Sequence, residues 1–335
     1  MNQGQEADRT TATPRPGAGF EFKENKMRIA AELIFAGAVS LLASSAAWSQ
    51  TPPAKGAPTP PQAAPAAAPA PTRPPCNNPD ALGIGRTVEI DTTGGPGFGF
   101  EHFKELDFLR DKEVVLTFDD GPWPVNTPSV LKTLAEECTT GIFFPIGKHA
   151  TYYPEILKQV MAAGHTVGSH TWSHAALVNK KLNEQQRKDE IEKGFSAVKW
   201  ALGGKSPAPF FRFPALQHPP EMVTYLGTRN IAIFSTDMDS FDFKMRKPEQ
   251  VIKSVMTRLQ KHGKGIVLMH DFQKATSEAV PQLLAELKAG GYKIVHMKAR
   301  GTVTSLPQYD EELAKESKLP TVSQRPVSSV VRDVE

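Results

Sequence analysis

Five short polar clusters punctuate the middle of this chain, and each closes an apolar, strand-prone run. They are Thr117-Phe118-Asp119-Asp120-Gly121, Ser169-His170-Thr171-Trp172-Ser173-His174, Arg212-Phe213-Pro214, Asp239-Ser240-Phe241-Asp242 and Leu268-Met269-His270. Together they hold two adjacent carboxylates, two histidines four apart, an arginine, a further aspartate and a late histidine. These are the parts of a metal-assisted hydrolase. Two histidines and an aspartate make a ligand set with open positions, and the remaining groups can move protons. Neighbours on a strand point to opposite faces, so Asp119 and Asp120 serve one site only if the strand stops there, and Gly121-Pro122 supplies the break. The spacing of His170 and His174 puts both imidazoles on one face of a helix or helical turn. Thr171 stands where a zincin carries glutamate, so the metalloprotease base is missing. No Gly-x-Ser-x-Gly occurs, which sets aside serine esterase chemistry. A retaining glycosidase would have no use for the two histidines.

The elements that must carry these clusters alternate. Apolar runs at 114–118, 142–145, 166–168, 210–213, 231–235, 265–269 and 292–296 are separated by amphipathic segments at 128–137, 154–163, 183–202, 248–261 and 278–289. Thr127-Pro128 reads as a helix start, and Gly164 and Gly290 as helix stops. This alternation predicts an α/β fold with a parallel sheet, either a closed barrel or an open doubly wound sheet. No Gly-x-Gly-x-x-Gly follows the first strand, which weakens the dinucleotide-binding form of the open sheet. A barrel would bring all five clusters to one rim. Upstream, residues 86–91 alternate and meet Gly94-Gly95-Pro96-Gly97, which predicts an extra hairpin or extended flap.

The ordered set of clusters resembles the NodB-type polysaccharide deacetylases, carbohydrate esterase family 4, over about residues 110–300. The resemblance implies a distorted seven-stranded (β/α) barrel, here with a short N-terminal β extension. It also implies one divalent metal, usually zinc, and removal of N-acetyl groups from amino sugars. Asp120, His170 and His174 would bind the metal. Asp119 would be the general base toward the metal-bound water, and His270 the acid that protonates the departing amine. Arg212 would hold Asp119 ionised and oriented, and Asp242 would do the same for His270. Ala215 follows Pro214 where the family has tyrosine, and its backbone N–H can still meet the oxyanion. Leu268 corresponds to the residue lining the acetate methyl pocket, although it reads equally as a barrel-core leucine. Phe243 replaces the usual tryptophan of the fourth motif and keeps an apolar wall. These departures bear on substrate choice and leave the metal set and acid–base pair intact. Trp172, with Trp123, Tyr152 and Tyr153, could stack on sugar faces. His149, His165, His218, His262 and His296 lack the motif context and read as structural.

The rest of the chain sets the context. Of 335 residues, 39 are Lys or Arg and 36 Asp or Glu. That balance, with no basic run beside aromatics, gives no electrostatic case for nucleic acid, and no nucleic-acid partner is expected. Residues 27–49 pair a short positive start with an apolar stretch and a small-residue end, as a secretory signal does, and translation is expected to begin at Met27. Residues 1–49 are thus read as leader and signal, with a retained N-terminal anchor as the competing view. A Pro/Ala-rich linker at 50–76 follows, then the catalytic domain at 77–305 and a disordered tail at 306–335. Export permits a disulfide between Cys76 and Cys138, the alternative being a buried thiol at Cys138. The expected product is an exported monomer, periplasmic or secreted, acting on peptidoglycan, a chitin-type oligomer or an exopolysaccharide. The rival readings are a same-fold amidohydrolase for small amides and an inactive carbohydrate-binding relative.

Overall fold

In the computed structural model, the chain is described over residues 76–316. The expected leader, nearly all of the linker and residues 317–335 lie outside the described part. Ten strands and eight α-helices occur there: β1 (Arg86–Ile90), β2 (Gly97–Phe98), β3 (Glu113–Asp119), β4 (Ile142–Phe144), β5 (Thr166–Val167), β6 (Phe210–Phe211), β7 (Ala232–Phe234), β8 (Met238–Asp239), β9 (Gly265–His270) and β10 (Lys293–Ala299). The helices are α1 (Asn126–Glu136), α2 (Gly147–Tyr152), α3 (Pro154–Ala162), α4 (Glu184–Ala201), α5 (Pro220–Thr228), α6 (Pro248–His262), α7 (Lys274–Ala289) and α8 (Pro307–Glu316). No helix among the described residues is long and apolar enough to cross a membrane.

Every strand pairing is parallel, as strand–helix alternation requires. β9 lies along one edge of β3, while the other edge is shared by β10 at Glu113 and Val114 and by β4 from Thr117 onward. β4 continues to β5, a bridge from Ser169 to Phe211 reaches β6, and β6 pairs with β7. β8 returns to β9. The result is a distorted (β/α) barrel. Its seam lies between β7 and β8, where the Phe100 N–H donates to the Asp237 carboxylate and the Glu101 N–H to the Thr236 carbonyl.

Alternation along β3 sorts the core. Val114, Leu116 and Phe118 pack with residues of α1, α6 and α7 such as Leu134, Leu259 and Leu283. Val115 packs among Phe144, Phe210, Phe234 and Ile266 in a separate cluster. The face that carries Val115 also carries Thr117 and Asp119, since side chains two apart share a face. The barrel interior is therefore apolar below and polar at its upper end.

Several expectations are revised. Residues 86–91 do not form a hairpin: β1 pairs parallel with β10, Arg86 opposite Val295 through Ile90 opposite Ala299. Gly94 and Gly95, both at positive φ, then turn the chain away to β2, which joins β7 instead. The first helix begins at Asn126, so Thr127 is not its cap; its hydroxyl accepts the Trp123 N–H. α7 does stop at Ala289 with Gly290 directly after it, as read, and the left-handed residue is the next one, Gly291. α2 and α5 went unread because glycine and proline at their ends resemble loops, although proline suits a first helical turn. The domain also runs beyond residue 305. α8 buries Tyr309 and Leu313, four apart on one face, and Lys199 on α4 meets Asp310 at 2.9 Å. Cys76 and Cys138 form a disulfide that ties the start of the described chain to the end of α1.

The loop bearing both histidines is not helical. Thr171 and His174 have φ of 65° and 60°, so the two imidazoles do not share a helix face. The loop is instead moulded onto α4: the Trp172 N–H donates to the Glu190 carbonyl, and the Ser173 N–H and hydroxyl donate to the Glu190 carboxylate. Gly194 makes that approach possible, because a Cβ there would meet the Thr171 carbonyl carbon at 2.7 Å and its oxygen at 2.9 Å.

Two predictions follow from this packing. Ala favours helices over Gly, yet Gly194→Ala should destabilise the protein by about 1–3 kcal/mol in urea unfolding, because overpacking outweighs propensity. Equal or greater stability would show that the loop yields. The second concerns Glu113, which pairs with Arg86 at 2.6 Å and joins β1 to β3. Its hydrogen bonds from Arg86 hold its pKa down at about 2, against an ordinary 4.5. A depressed folded-state pKa stabilises above the unfolded value and is lost as pH falls through the folded one. The stability margin of wild type over Glu113→Gln should therefore be full above about pH 5 and shrink between about 4.5 and 2. A margin independent of pH across that window would contradict the assignment.

Candidate active site

β3 ends at Asp119, and Asp120 takes a φ of 72°. That left-handed residue breaks the alternation and lets both carboxylates reach one place, which extended backbone forbids. Asp120, His170 and His174 each offer a ligand atom, all within 4.8 Å of one another. Both histidine Nε2 atoms stand 3.5 Å from Asp120 Oδ1.

These residues fit a cation. The distances are too long for hydrogen bonds, and Asp120 Oδ1 is buried with no hydrogen-bond partner. His170 Nδ1 lies 2.7 Å from the Arg212 carbonyl, which can only accept, so Nδ1 carries the proton and Nε2 keeps its lone pair. Burial lowers the pKa of His170 and of His174, favouring neutral imidazoles, and raises that of Asp120. Ligands about 2.0–2.1 Å from one tetrahedral ion stand roughly 3.4 Å apart, close to the 3.5 Å between Asp120 Oδ1 and each histidine Nε2.

On one side of this cluster lies Asp119. Its Oδ1 accepts Arg212 Nη1 at 2.7 Å, while Oδ2 is 3.9 Å from His170 Nε2. Arg212 is wholly buried and every side of it is engaged: Nη1 also meets the Thr117 hydroxyl, Nη2 the Ser235 carbonyl and Nε the Phe234 carbonyl, with the Phe144 ring 4.5 Å away.

On the other side, His270 Nε2 lies 4.0 Å from Asp120 Oδ2. Its Nδ1–H donates to Asp242 Oδ1 at 2.6 Å, and its backbone N–H to Oδ2 at 2.7 Å. Burial pulls the His270 pKa down, but the Asp242 hydrogen bond and the surrounding carboxylates outweigh it and hold the imidazole up at about 9. Burial would likewise raise Asp242, yet hydrogen bonds from His270 and Thr276 keep it low. The arrangement sets an arginine-paired carboxylate and a carboxylate-paired imidazole on opposite flanks of a candidate cation site.

All seven of these residues were singled out from sequence; five of them line a cavity of about 580 Å³, and Arg212 and Asp242 are buried behind it, bound to Asp119 and His270. Ala215 lines it, in a short 3₁₀ turn with φ of 52°, as do Leu268 and Phe243. Leu268 is 4% exposed, so the core and cavity readings coexist. Phe243 stands edge-on to His270 at 5.7 Å. Trp172 does not line the cavity: Lys193 lies 4.5 Å over its ring, which abuts Gly147. Nor do Trp123, Tyr152 and Tyr153, which gather around His149.

Sequence reasoning missed other parts. Glu101 and His102 enter the cavity wall from the segment that fills the barrel seam, and no motif announces them. His149, read as structural, donates from Nδ1 to the Asp120 carbonyl at 2.6 Å. Asp271 is fully buried against Gly121 and Thr127, and burial pushes its pKa up to about 7. Its place directly after His270 was the available signal.

Comparison with known proteins agrees with this geometry. The sequence model described as polysaccharide deacetylase matches residues 108–231. The chain is 32% identical over 191 residues to the peptidoglycan-N-acetylglucosamine deacetylase PgdA of Listeria monocytogenes, covering 55% of this chain and 38% of that one. It is 27% identical to the chitooligosaccharide deacetylase of Sinorhizobium fredii, over 57% of this chain and 96% of the relative. Among solved structures, the peptidoglycan deacetylase Bd3279 of Bdellovibrio bacteriovorus superposes with a TM-score of 0.58 at 33% identity, covering 64% of this chain and 59% of that one. The chain thus spans well under two thirds of the Listeria relative and somewhat under two thirds of the Bdellovibrio one. Sequence motifs, barrel and matches converge: the folded region is similar in sequence and fold to the NodB-type polysaccharide deacetylases, carbohydrate esterase family 4.

Proposed function

We propose that this protein hydrolyses N-acetyl groups from amino-sugar units of an extracytoplasmic polysaccharide, with one divalent cation, zinc, held by Asp120, His170 and His174. The observation that carries the reading is the pair of proton-transfer groups flanking that ligand set, Asp119 on Arg212 and His270 on Asp242. The names of the relatives support the class of reaction, and they differ in the sugar: N-acetylglucosamine, N-acetylmuramic acid and chitooligosaccharide. Peptidoglycan and chitin-type oligomers therefore both stand as substrates, with an exopolysaccharide as the third candidate carried from the sequence alone. Export, to the periplasm or beyond, rests on the signal-like residues 27–49.

When bound, the cation would supply Lewis acidity, lowering the pKa of a water and polarising the acetamide carbonyl. The protein's own groups do the rest. Arg212 occupies Asp119 Oδ1, so Oδ2 is the atom left to take a proton from the attacking water. Asp242 occupies His270 Nδ1, so Nε2 is the atom that gives a proton to the departing nitrogen. As the C–O bond forms and the C–N bond breaks, one proton leaves water for Asp119 and another passes from His270 to the amine. The products are acetate and a free amino sugar. The Ala215 backbone N–H is assigned to the developing oxyanion, and Leu268 and Phe243 to the walls around the acetyl methyl and the sugar.

The test is acetate release from a panel of acetylated glycans. Chelation should abolish it, and added divalent metal should restore it. Asp119→Asn and His270→Gln should each lower kcat by about 10²–10⁴-fold with the fold intact. Glycan cleavage without acetate would reject the reaction. Acetate release that survives both chelation and Asp119→Asn would reject the mechanism.

A further inference from the structure

Asp271 has no part in the reaction just described, yet it lies buried directly beneath the turn that carries Asp120. Its Oδ1 accepts the Gly121 N–H at 3.2 Å, and its Oδ2 accepts the Thr127 hydroxyl. That hydroxyl in turn accepts the Trp123 N–H at 2.8 Å. A Cβ on residue 121 would meet the two Asp271 oxygens at 2.3 and 2.5 Å, so the carboxylate fills the space that any side chain there would need. The segment that bears Asp271 is tied to the same place a second time, because the Asn126 side chain donates to the Phe272 carbonyl at 2.6 Å.

The peptide unit between Asp120 and Gly121 is thereby gripped at both ends. Its carbonyl accepts His149 Nδ1–H at 2.6 Å, and its N–H donates to Asp271. Rotation of that plane changes ψ of Asp120 and φ of Gly121 together. With either end released, the strained backbone at Asp120 is free to relax and its side chain to shift with it, since Oδ1 has no donor of its own to hold it. Asp120 also sits at a φ of 72°, a conformation that costs energy for a residue with a Cβ and persists only where its surroundings impose it.

We propose that Asp271 is a positioning residue for the cation site: with His149 it clamps the Asp120–Gly121 peptide plane and so aims the Asp120 carboxylate at the two histidines. The proposal rests on reading Asp120, His170 and His174 as the cation ligands. Outer groups that orient a metal ligand commonly change affinity by about 10- to 100-fold when altered. Asparagine at this position keeps one acceptor but turns an N–H₂ toward one of the two donors, which loosens the clamp at nearly constant volume.

Full-length wild type, Asp271→Asn and Thr127→Val proteins are compared in three measurements: thermal unfolding of the metal-free protein, Zn²⁺ affinity by competition with a chromophoric chelator, and acetate release across a zinc titration. The expected result is a zinc affinity weakened about 10- to 100-fold in Asp271→Asn and several-fold in Thr127→Val, with acetate release recovering toward wild type as zinc saturates. A folded Asp271→Asn protein that binds zinc as tightly as wild type overturns the proposal, even if its unfolding temperature drops. Should Asp271→Asn fail to fold, unchanged zinc affinity in Thr127→Val overturns it equally. Zinc affinity is read without substrate. A wild type that binds zinc but releases no acetate would sink the proposed reaction and leave this comparison standing.

Discussion

A wholly buried ion pair between Arg212 and Asp119 organises this molecule. Removing a guanidinium from water costs several kcal/mol, and the cost is offset only when nearly every donor finds a partner in good geometry. Arg212 meets that demand by binding Asp119 and Thr117 on β3 and the carbonyls of Phe234 and Ser235 at and after β7. Three parts of the barrel must therefore stand in one relative position. The backbone of the same residue acts too: its carbonyl takes the His170 Nδ1 proton and leaves Nε2 facing Asp120. One residue thus sets the orientation of the proposed base and the tautomer of a proposed ligand.

The opposite flank is built on a different pairing. Asp242 is as deeply buried as Asp119, but its partner is an imidazole whose charge depends on protonation, not a permanent cation. Three donors converge on Asp242, two from His270 and one from Thr276, and keep its carboxylate ionised, and that carboxylate in turn holds the imidazole protonated despite its burial. In the proposed reaction, two carboxylates of the same chemistry thus serve opposite ends of a proton transfer. What separates them is the partner each was given, and burial makes that choice count because the low dielectric strengthens every charge interaction.

Much of this was legible along the chain. Asp119, Asp120, His170, His174, Arg212, Asp242 and His270 all occur in short clusters after apolar runs; five of them line one cavity, and Arg212 and Asp242 support it from behind. The reason is physical: in a parallel barrel consecutive strands point the same way, so their ends collect on one rim whatever the sequence between them. The misreadings share a cause as well. His170 and His174 were assigned a helical face from spacing alone, but the loop is shaped by Glu190 and Gly194 on a helix that begins ten residues later. Trp172 looked like a sugar platform and turned out to pack under Lys193. The segment after residue 305 looked too polar to order, yet two apolar side chains four apart suffice once α4 offers them a partner.

The sequence by itself determined the alternation of strands and helices, the strand ends that carry chemistry and the identity of the groups that could bind a cation or move a proton. Those properties are local, written in period, spacing and residue type. Only the tertiary structure decided which oxygen of Asp119 is free, which nitrogen of His170 keeps its lone pair, that Glu101 and His102 wall the cavity, and that Asp271 lies under the turn at Gly121. Each of these depends on contacts between residues tens to more than a hundred positions apart. Their partners are chosen by how the barrel closes, and no window of sequence contains both sides of such a contact.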